Sequence, residues 1–170
     1  CLGSFSWCPG RGEKIDTGLG FTCVIDYAHT PDALFNLFSA ERELTRRNLI
    51  CVFGAGGDRD EGKRPEMGKA AAALCDIVIL TSDNPRSEKP EVIINDIAKG
   101  INGKKVTIEI DRKKAIEVSI AMAQKGDTVI IAGKGHEMYQ EIMGKRILFS
   151  DREIVEDFIR KRKKGKDESK

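Results

Sequence analysis

Four short segments of the sequence combine charged side chains with glycine or proline in ways that suit a small zwitterionic ligand. The most specific is Asp83-Asn84-Pro85-Arg86. Pro85 fixes its own backbone angle and drives Asn84 into extended geometry, so the turn presents Arg86 from a stiff base. Arginine receives a carboxylate through two parallel hydrogen bonds, and asparagine serves an ammonium with its oxygen or a carboxylate with its nitrogen. Together they match the head group of an amino acid. Taken alone, the tetrapeptide reads first as an ordinary turn that caps the next helix, with Arg86 in solvent.

A second segment, Gly133-Lys134-Gly135-His136-Glu137, places two glycines beside an acid. The glycines permit close backbone approach, and Glu137 can pair with a ligand ammonium. In the third segment, Gly54 to Pro65, the stretch from Gly57 to Lys63 has the spacing of a phosphate-binding GxxxxGK loop. Arg64 and Pro65 stand where such a loop needs a magnesium-binding Ser or Thr and an unbroken run of backbone donors. Asp58, Asp60 and Glu61 would also repel phosphate. The loop suits a carboxylate better, through Arg59, Lys63 and Arg64. The fourth segment, Asp26-Tyr27-Ala28-His29-Thr30-Pro31-Asp32, opens a helix and puts His29 and Thr30 near its positive end. No Ser or Cys nucleophile accompanies His29 at a recognisable spacing, so no catalytic triad is expected.

Each segment follows a run that reads as a strand. Phe21 to Ile25, Leu49 to Phe53, Ile77 to Leu80, Val106 to Ile110 and Thr128 to Ala132 are apolar and rich in β-branched residues. Helical patterns alternate with them, from Pro31, over Pro65 to Leu74, Pro90 to Gly100 and Arg112 to Gln124, and again from Asp151. Continuous apolar strands alternating with helices predict a three-layer, doubly wound, Rossmann-like α/β fold with a mostly parallel sheet. Met138 to Phe149 carries a Gly144-Lys145 turn and is expected to supply a hairpin or one antiparallel edge strand. In such sheets ligands bind beyond the carboxyl ends of the strands, where all four segments lie.

Composition bounds the partners. The 29 Lys and Arg nearly cancel the 27 Asp and Glu, leaving a net charge of +2 and no electrostatic case for nucleic acid or a membrane surface. The run from Arg160 to Lys170 is basic but lacks aromatic residues and apolar periodicity, and is expected to be a frayed, solvated tail beyond a domain spanning 1–160. The five cysteines (Cys1, Cys8, Cys23, Cys51 and Cys75) are scattered, with no CxxC pair, as in a reduced cytosol. Cys23, Cys51 and Cys75 lie in or beside apolar runs and are expected to be small buried hydrophobes. The chain opens on Cys1 rather than Met and reads as entered partway along, with residues 1–10 as a linker.

In order, CPGR at Cys8 to Arg11, DYAHTPDAL at Asp26 to Leu34, GAGGDRDEGKRP at Gly54 to Pro65, SDNPR at Ser82 to Arg86 and GKGHE at Gly133 to Glu137 resemble the Mur ligases. The similarity runs to FSDRE at Phe149 to Glu153 and is to the carboxyl-terminal domain of the branch that adds meso-diaminopimelate to UDP-MurNAc-L-Ala-D-Glu. Gly12 departs from the Met usual after the motif arginine. The resemblance implies ATP and Mg2+ as cofactors, held mainly by a central domain whose GKT or GKS loop is not in this sequence. It implies that Arg59, Asn84 and Arg86 contact substrate carboxylates, Gly133 and Glu137 hold the distal amino group, and Asp83 and Pro85 shape the turn. Arg11, Asp26, His29 and Thr30 would face ATP. No catalytic residue or metal ligand is expected within the chain, which by itself would be inactive, and a monomer in the bacterial cytoplasm is implied. A small P-loop nucleotide-binding protein and a non-catalytic α/β interaction module are the alternatives.

Overall fold

The computed structural model describes residues 10–167; Cys8 and Pro9, together with most of the expected linker, fall outside that range. Five parallel strands form the sheet: β2 (Thr22–Asp26), β3 (Leu49–Phe53), β4 (Ile77–Leu80), β5 (Val106–Ile108) and β6 (Thr128–Ala132). A short strand, β1 (Glu13–Asp16), pairs antiparallel with β2 at one edge. The spatial order is β1-β2-β6-β3-β4-β5, so β6 is inserted between β2 and β3.

Alternation along the central strands divides two cores. Leu49, Cys51 and Phe53 of β3 face one way, with Ile130 and Ala132 of β6, towards α1 (Pro31–Leu44), α2 (Lys63–Leu74) and α3 (Pro90–Ala98). Ile50 and Val52 face the other way, with Val129 and Ile131, towards α4 (Arg112–Met122) and α5 (Asp151–Asp167). The result is three layers, as the strand and helix pattern predicts. Each fully buried Ile, Leu or Phe contributes about 1.5–3 kcal/mol relative to exposure. Thr30 starts α1, its hydroxyl accepting from Ala33 N–H at 3.3 Å just before Pro31, and Asp111 caps α4 through Lys114 N–H at 3.3 Å.

Three expectations change. The antiparallel edge strand is β1 and not the segment from Met138 to Phe149. That segment takes the other expected form, a two-stranded hairpin of β7 (Tyr139–Ile142) and β8 (Lys145–Leu148), separate from the main sheet. Its turn is Met143-Gly144, both at positive φ (48° and 73°) as a two-residue hairpin of this twist requires. β8 is exposed along its whole length and has no apolar face with which to join the main sheet. The basic run after Arg160 is helical through Asp167 rather than frayed: Val155 and Ile159 bury one face of α5. Arg162 then donates to the carbonyls of Ile120 and Ala123 at the end of α4 and lies 5.4 Å from the Phe21 ring centroid. Finally, α2 begins two residues before Pro65, which takes a first-turn position.

Cys23, Cys51 and Cys75 are buried and unbridged. Burial pushes the Cys23 thiol up to about 12, and burial with a hydrogen bond to Cys75 raises Cys51 well above its ordinary value. They are core residues, not nucleophiles. No helix among the described residues is long and apolar enough to cross a membrane.

Candidate functional site

Because β6 lies between β2 and β3, the loops after β2, β6, β3 and β4 follow one another along the carboxyl edge of the sheet. They enclose a cleft of about 420 Å³, whose lining includes His29, Thr30, Arg59, Asp83, Asn84, Arg86, Gly133 and Glu137. Two glycines let the loops close up. A Cβ on Gly57 would sit 1.9 Å from the Pro85 carbonyl oxygen, and one on Gly133, at φ 113°, would sit 2.6 Å from Asp83 Oδ2.

Arg86 is itself in the left-handed region, at φ 52°. A non-glycine residue holds that conformation only where its surroundings fix it. β7 and the turn after it do so: Arg86 N–H donates to the Glu141 carbonyl at 3.1 Å, and its carbonyl accepts from Met143 N–H at 2.7 Å. The guanidinium donates to the Gly57 carbonyl at 2.7 Å and lies 3.8 Å from Glu141. Held at its base and partly exposed, it keeps further donors for a ligand.

Beside it, Asn84 Oδ1 accepts from Lys134 Nζ at 2.8 Å and from Glu141 N–H at 2.9 Å, while Asn84 Nδ2 donates to Glu137 at 3.1 Å. The Lys134 ammonium also meets Glu137 at 3.2 Å and Asp83 at 3.4 Å. Gln140 supports the turn from outside, donating to the Asp83 carbonyl at 2.7 Å and the Ser82 hydroxyl at 3.2 Å. Beneath lies a fully buried, bidentate ion pair, Arg112 with Asp151, at 2.9 and 2.7 Å. Burial alone would lower the pKa of Arg112, but Asp151, then Asp83 and Glu137, hold it above its ordinary value. Arg112 also donates to the Ala132 carbonyl at 3.0 Å and to that of Ser82 at 3.5 Å.

The loop after β3 is a poor phosphate cradle, because five of its amides are already engaged. Gly57 N–H donates to the Asn84 carbonyl at 2.9 Å, Asp58 N–H to Glu88 at 2.6 Å and Gly62 N–H to Asp60 at 3.0 Å. Lys63 and Arg64 N–H donate back to Asp60 and Glu61. Arg64 is buried between Glu88 at 2.7 Å and Asp96 at 3.1 Å, which raise its pKa further. Arg64 in turn depresses Glu88, while Lys99 and then Arg64 depress Asp96. The Ser87 hydroxyl holds Asp58 below the usual carboxylate range. Arg64 therefore serves the fold. Arg59, by contrast, is exposed in the cleft and makes no ion pair or hydrogen bond to another described residue.

A sequence model described as "Mur ligase, glutamate ligase domain" matches residues 10–135. The chain belongs to the Mur ligase family. A UDP-N-acetylmuramoyl-L-alanyl-D-glutamate--2,6-diaminopimelate ligase of Aquifex aeolicus is 56% identical over 152 residues, covering 89% of this chain and 31% of the relative. A Clostridium acetobutylicum ligase of the same name is 50% identical, covering 94% of this chain and 33% of its own length. A solved structure with that ligase name superposes with a TM-score of 0.84 at 46% identity, over 91% of this chain and 32% of that one. The UDP-N-acetylmuramate-alanine ligase of Thermotoga maritima, at 16% identity and a TM-score of 0.61, shares the fold. The chain spans about a third of the length of these curated relatives.

In this Mur ligase domain, the structure gathers Arg59, Asp83, Asn84, Arg86, Gly133 and Glu137 around one cleft, with Pro85 backing Gly57. The residues expected to face ATP are more dispersed. Asp26 accepts from Gly12 N–H at 2.5 Å and Ala28 N–H at 2.6 Å, so it clamps backbone, and Thr30 caps α1. His29 is exposed, with Nδ1 against the Tyr27 carbonyl at 2.8 Å, and Arg11 is exposed outside the cleft lining. Sequence reasoning missed Lys134, Gln140, Glu141 and the Arg112–Asp151 pair. A lysine between two glycines with an acid three residues on was the available signal for Lys134. Nothing local in the sequence links Arg112 to a partner 39 positions away.

Proposed function

We propose that this domain binds the amino acid in an ATP-dependent ligase that joins meso-2,6-diaminopimelate to UDP-N-acetylmuramoyl-L-alanyl-D-glutamate, in the bacterial cytoplasm and as a monomer. In that reaction ATP with Mg2+ supplies an acyl phosphate on the glutamate side-chain carboxylate, which an amine of diaminopimelate then attacks. This chain's own part is recognition. Arg86, fixed at positive φ beside Asn84 with Arg59 in the same cleft lining, is the observation that carries the reading. Diaminopimelate differs from lysine by a carboxylate on its distal carbon. Arg86 and the Asn84 amide receive that carboxylate, Glu137 the neighbouring ammonium, and Arg59 the second carboxylate.

Charge-assisted hydrogen bonds to Arg86 contribute about 1.5–3 kcal/mol, whereas lysine leaves that end unpaired. Towards the nucleotide, the exposed Arg11 and His29 are the residues suited to meet phosphate; Asp26 and Thr30 hold the backbone behind them. Calorimetric titration with meso-diaminopimelate and L-lysine tests the assignment. The expected result is tighter binding of diaminopimelate, lost in Arg86→Ala; equal affinity of the unmodified chain for both ligands would refute it.

A further inference from the structure

Lys134 is completely buried in the loop after β6 and does not line the cleft. Its ammonium stands 2.8 Å from Asn84 Oδ1, 3.2 Å from Glu137 Oε2 and 3.4 Å from Asp83 Oδ1. An ammonium has three protons, so these acceptors occupy all of them and none remains for a ligand. The Tyr139 ring, with its centroid 5.7 Å away, covers another side.

Two consequences follow for the cleft. Asn84 Oδ1 accepts from both Lys134 and Glu141 N–H, so turning the amide over would break two hydrogen bonds and set its NH2 group against an ammonium. Nδ2 is therefore held outward, with one proton on Glu137 and the other left for the cleft. Asp83 and Glu137 carry two negative charges against the single positive charge of Lys134. This end of the cleft thus presents one net negative charge, enough for one ammonium, beside an amide donor aimed at a carboxylate.

Resting on the amino-acid reading above, we infer that Lys134 is a positioning residue for specificity. It fixes Asn84 as a donor and trims the acidic pair to one charge, so that the cleft selects a centre bearing both an ammonium and a carboxylate. The test compares meso-diaminopimelate and L-lysine binding by calorimetry in the 170-residue chain and in Lys134→Met, which keeps an unbranched apolar stem out to the ε position and removes the ammonium. The preference for diaminopimelate should fall about ten- to a hundredfold, as expected for losing hydrogen bonds to a charged group. Partial unfolding lowers both affinities together and leaves their ratio unchanged, so the ratio isolates positioning from stability.

An unchanged ratio in Lys134→Met overturns the inference alone. A wild-type chain that prefers neither ligand overturns the amino-acid reading, and the inference with it. If Lys134→Met does not fold, the wild-type chain decides by nuclear magnetic resonance. Lys134 Nζ should couple across the hydrogen bond to the side-chain carbonyl carbon of Asn84, and the Asn84 NH2 signals should move with diaminopimelate but not with L-lysine. Absence of the coupling, or equal movement with both ligands, refutes the assignment.

Discussion

Two buried cations stand at the same end of the sheet and differ in how they are matched. Arg112 meets one carboxylate, Asp151, along two parallel bonds, and its other contacts are backbone carbonyls. Lys134 is shared among Asn84, Glu137 and Asp83, all of which line the cleft. A closed pair has little left to offer a ligand and much to offer the fold. A cation shared by several acceptors sets their orientation and charge while those acceptors still face outward. Burial alone does not separate structural from functional charges; the count of partners and where those partners look does.

The comparison is most exposed to failure at Arg112. Arg112→Met leaves Asp151 buried without its partner and should lower stability by about 3–5 kcal/mol in urea unfolding. Replacing both, as Arg112→Met with Asp151→Leu, should recover most of that loss; no recovery would mean that the carbonyl contacts of Arg112 dominate. At the open end, Arg86→Ala should weaken diaminopimelate binding about ten- to a hundredfold relative to L-lysine while changing unfolding free energy by less than about 1 kcal/mol. A large stability loss there would erase the distinction between the two regions. Gly133→Ala should cost about 1–3 kcal/mol, since its Cβ at positive φ meets the Asp83 carboxylate, and it should weaken ligand binding as Asp83 moves.

A smaller effect belongs to Arg64. Glu88 and Asp96 have folded pKa values held below their ordinary 4.5 and 3.8. Their contribution is therefore fully present above those values and is lost as pH falls through the folded ones. Urea melts from pH 6 to 3 should show a shallower acid decline in Arg64→Gln than in the parent. The smallest change is expected at Arg152→Ala, where exposed pairs with Glu13 at 2.6 Å and Glu156 at 2.8 Å should contribute no more than about 1 kcal/mol, diminishing in high salt.

The parallel sheet was legible because β3, β4 and β6 are apolar on both faces, and the helices because their apolar stripes and caps are local signals. β1 was not, since Glu13–Asp16 offers one inward apolar residue, Ile15, and its pairing depends on β2. The continuation of α5 was hidden by its basic composition: Arg162 is ordered by carbonyls at the end of α4, which no local pattern announces. Arg59, Asn84, Arg86 and Glu137 were legible as candidates because their residue types suit the proposed zwitterionic ligand, and they do line one cleft. Lys134 and Glu141 were not, because they act on other site residues, through contacts made only when β6 and β7 meet the loop after β4.

The Arg112 guanidinium touches the carbonyls of Ser82 and Ala132, the last supports before Asp83 and Gly133. Mechanically, it is a rigid spacer between the two jaws of a caliper. The opening between those jaws is set at its base by the covalent geometry of one planar group.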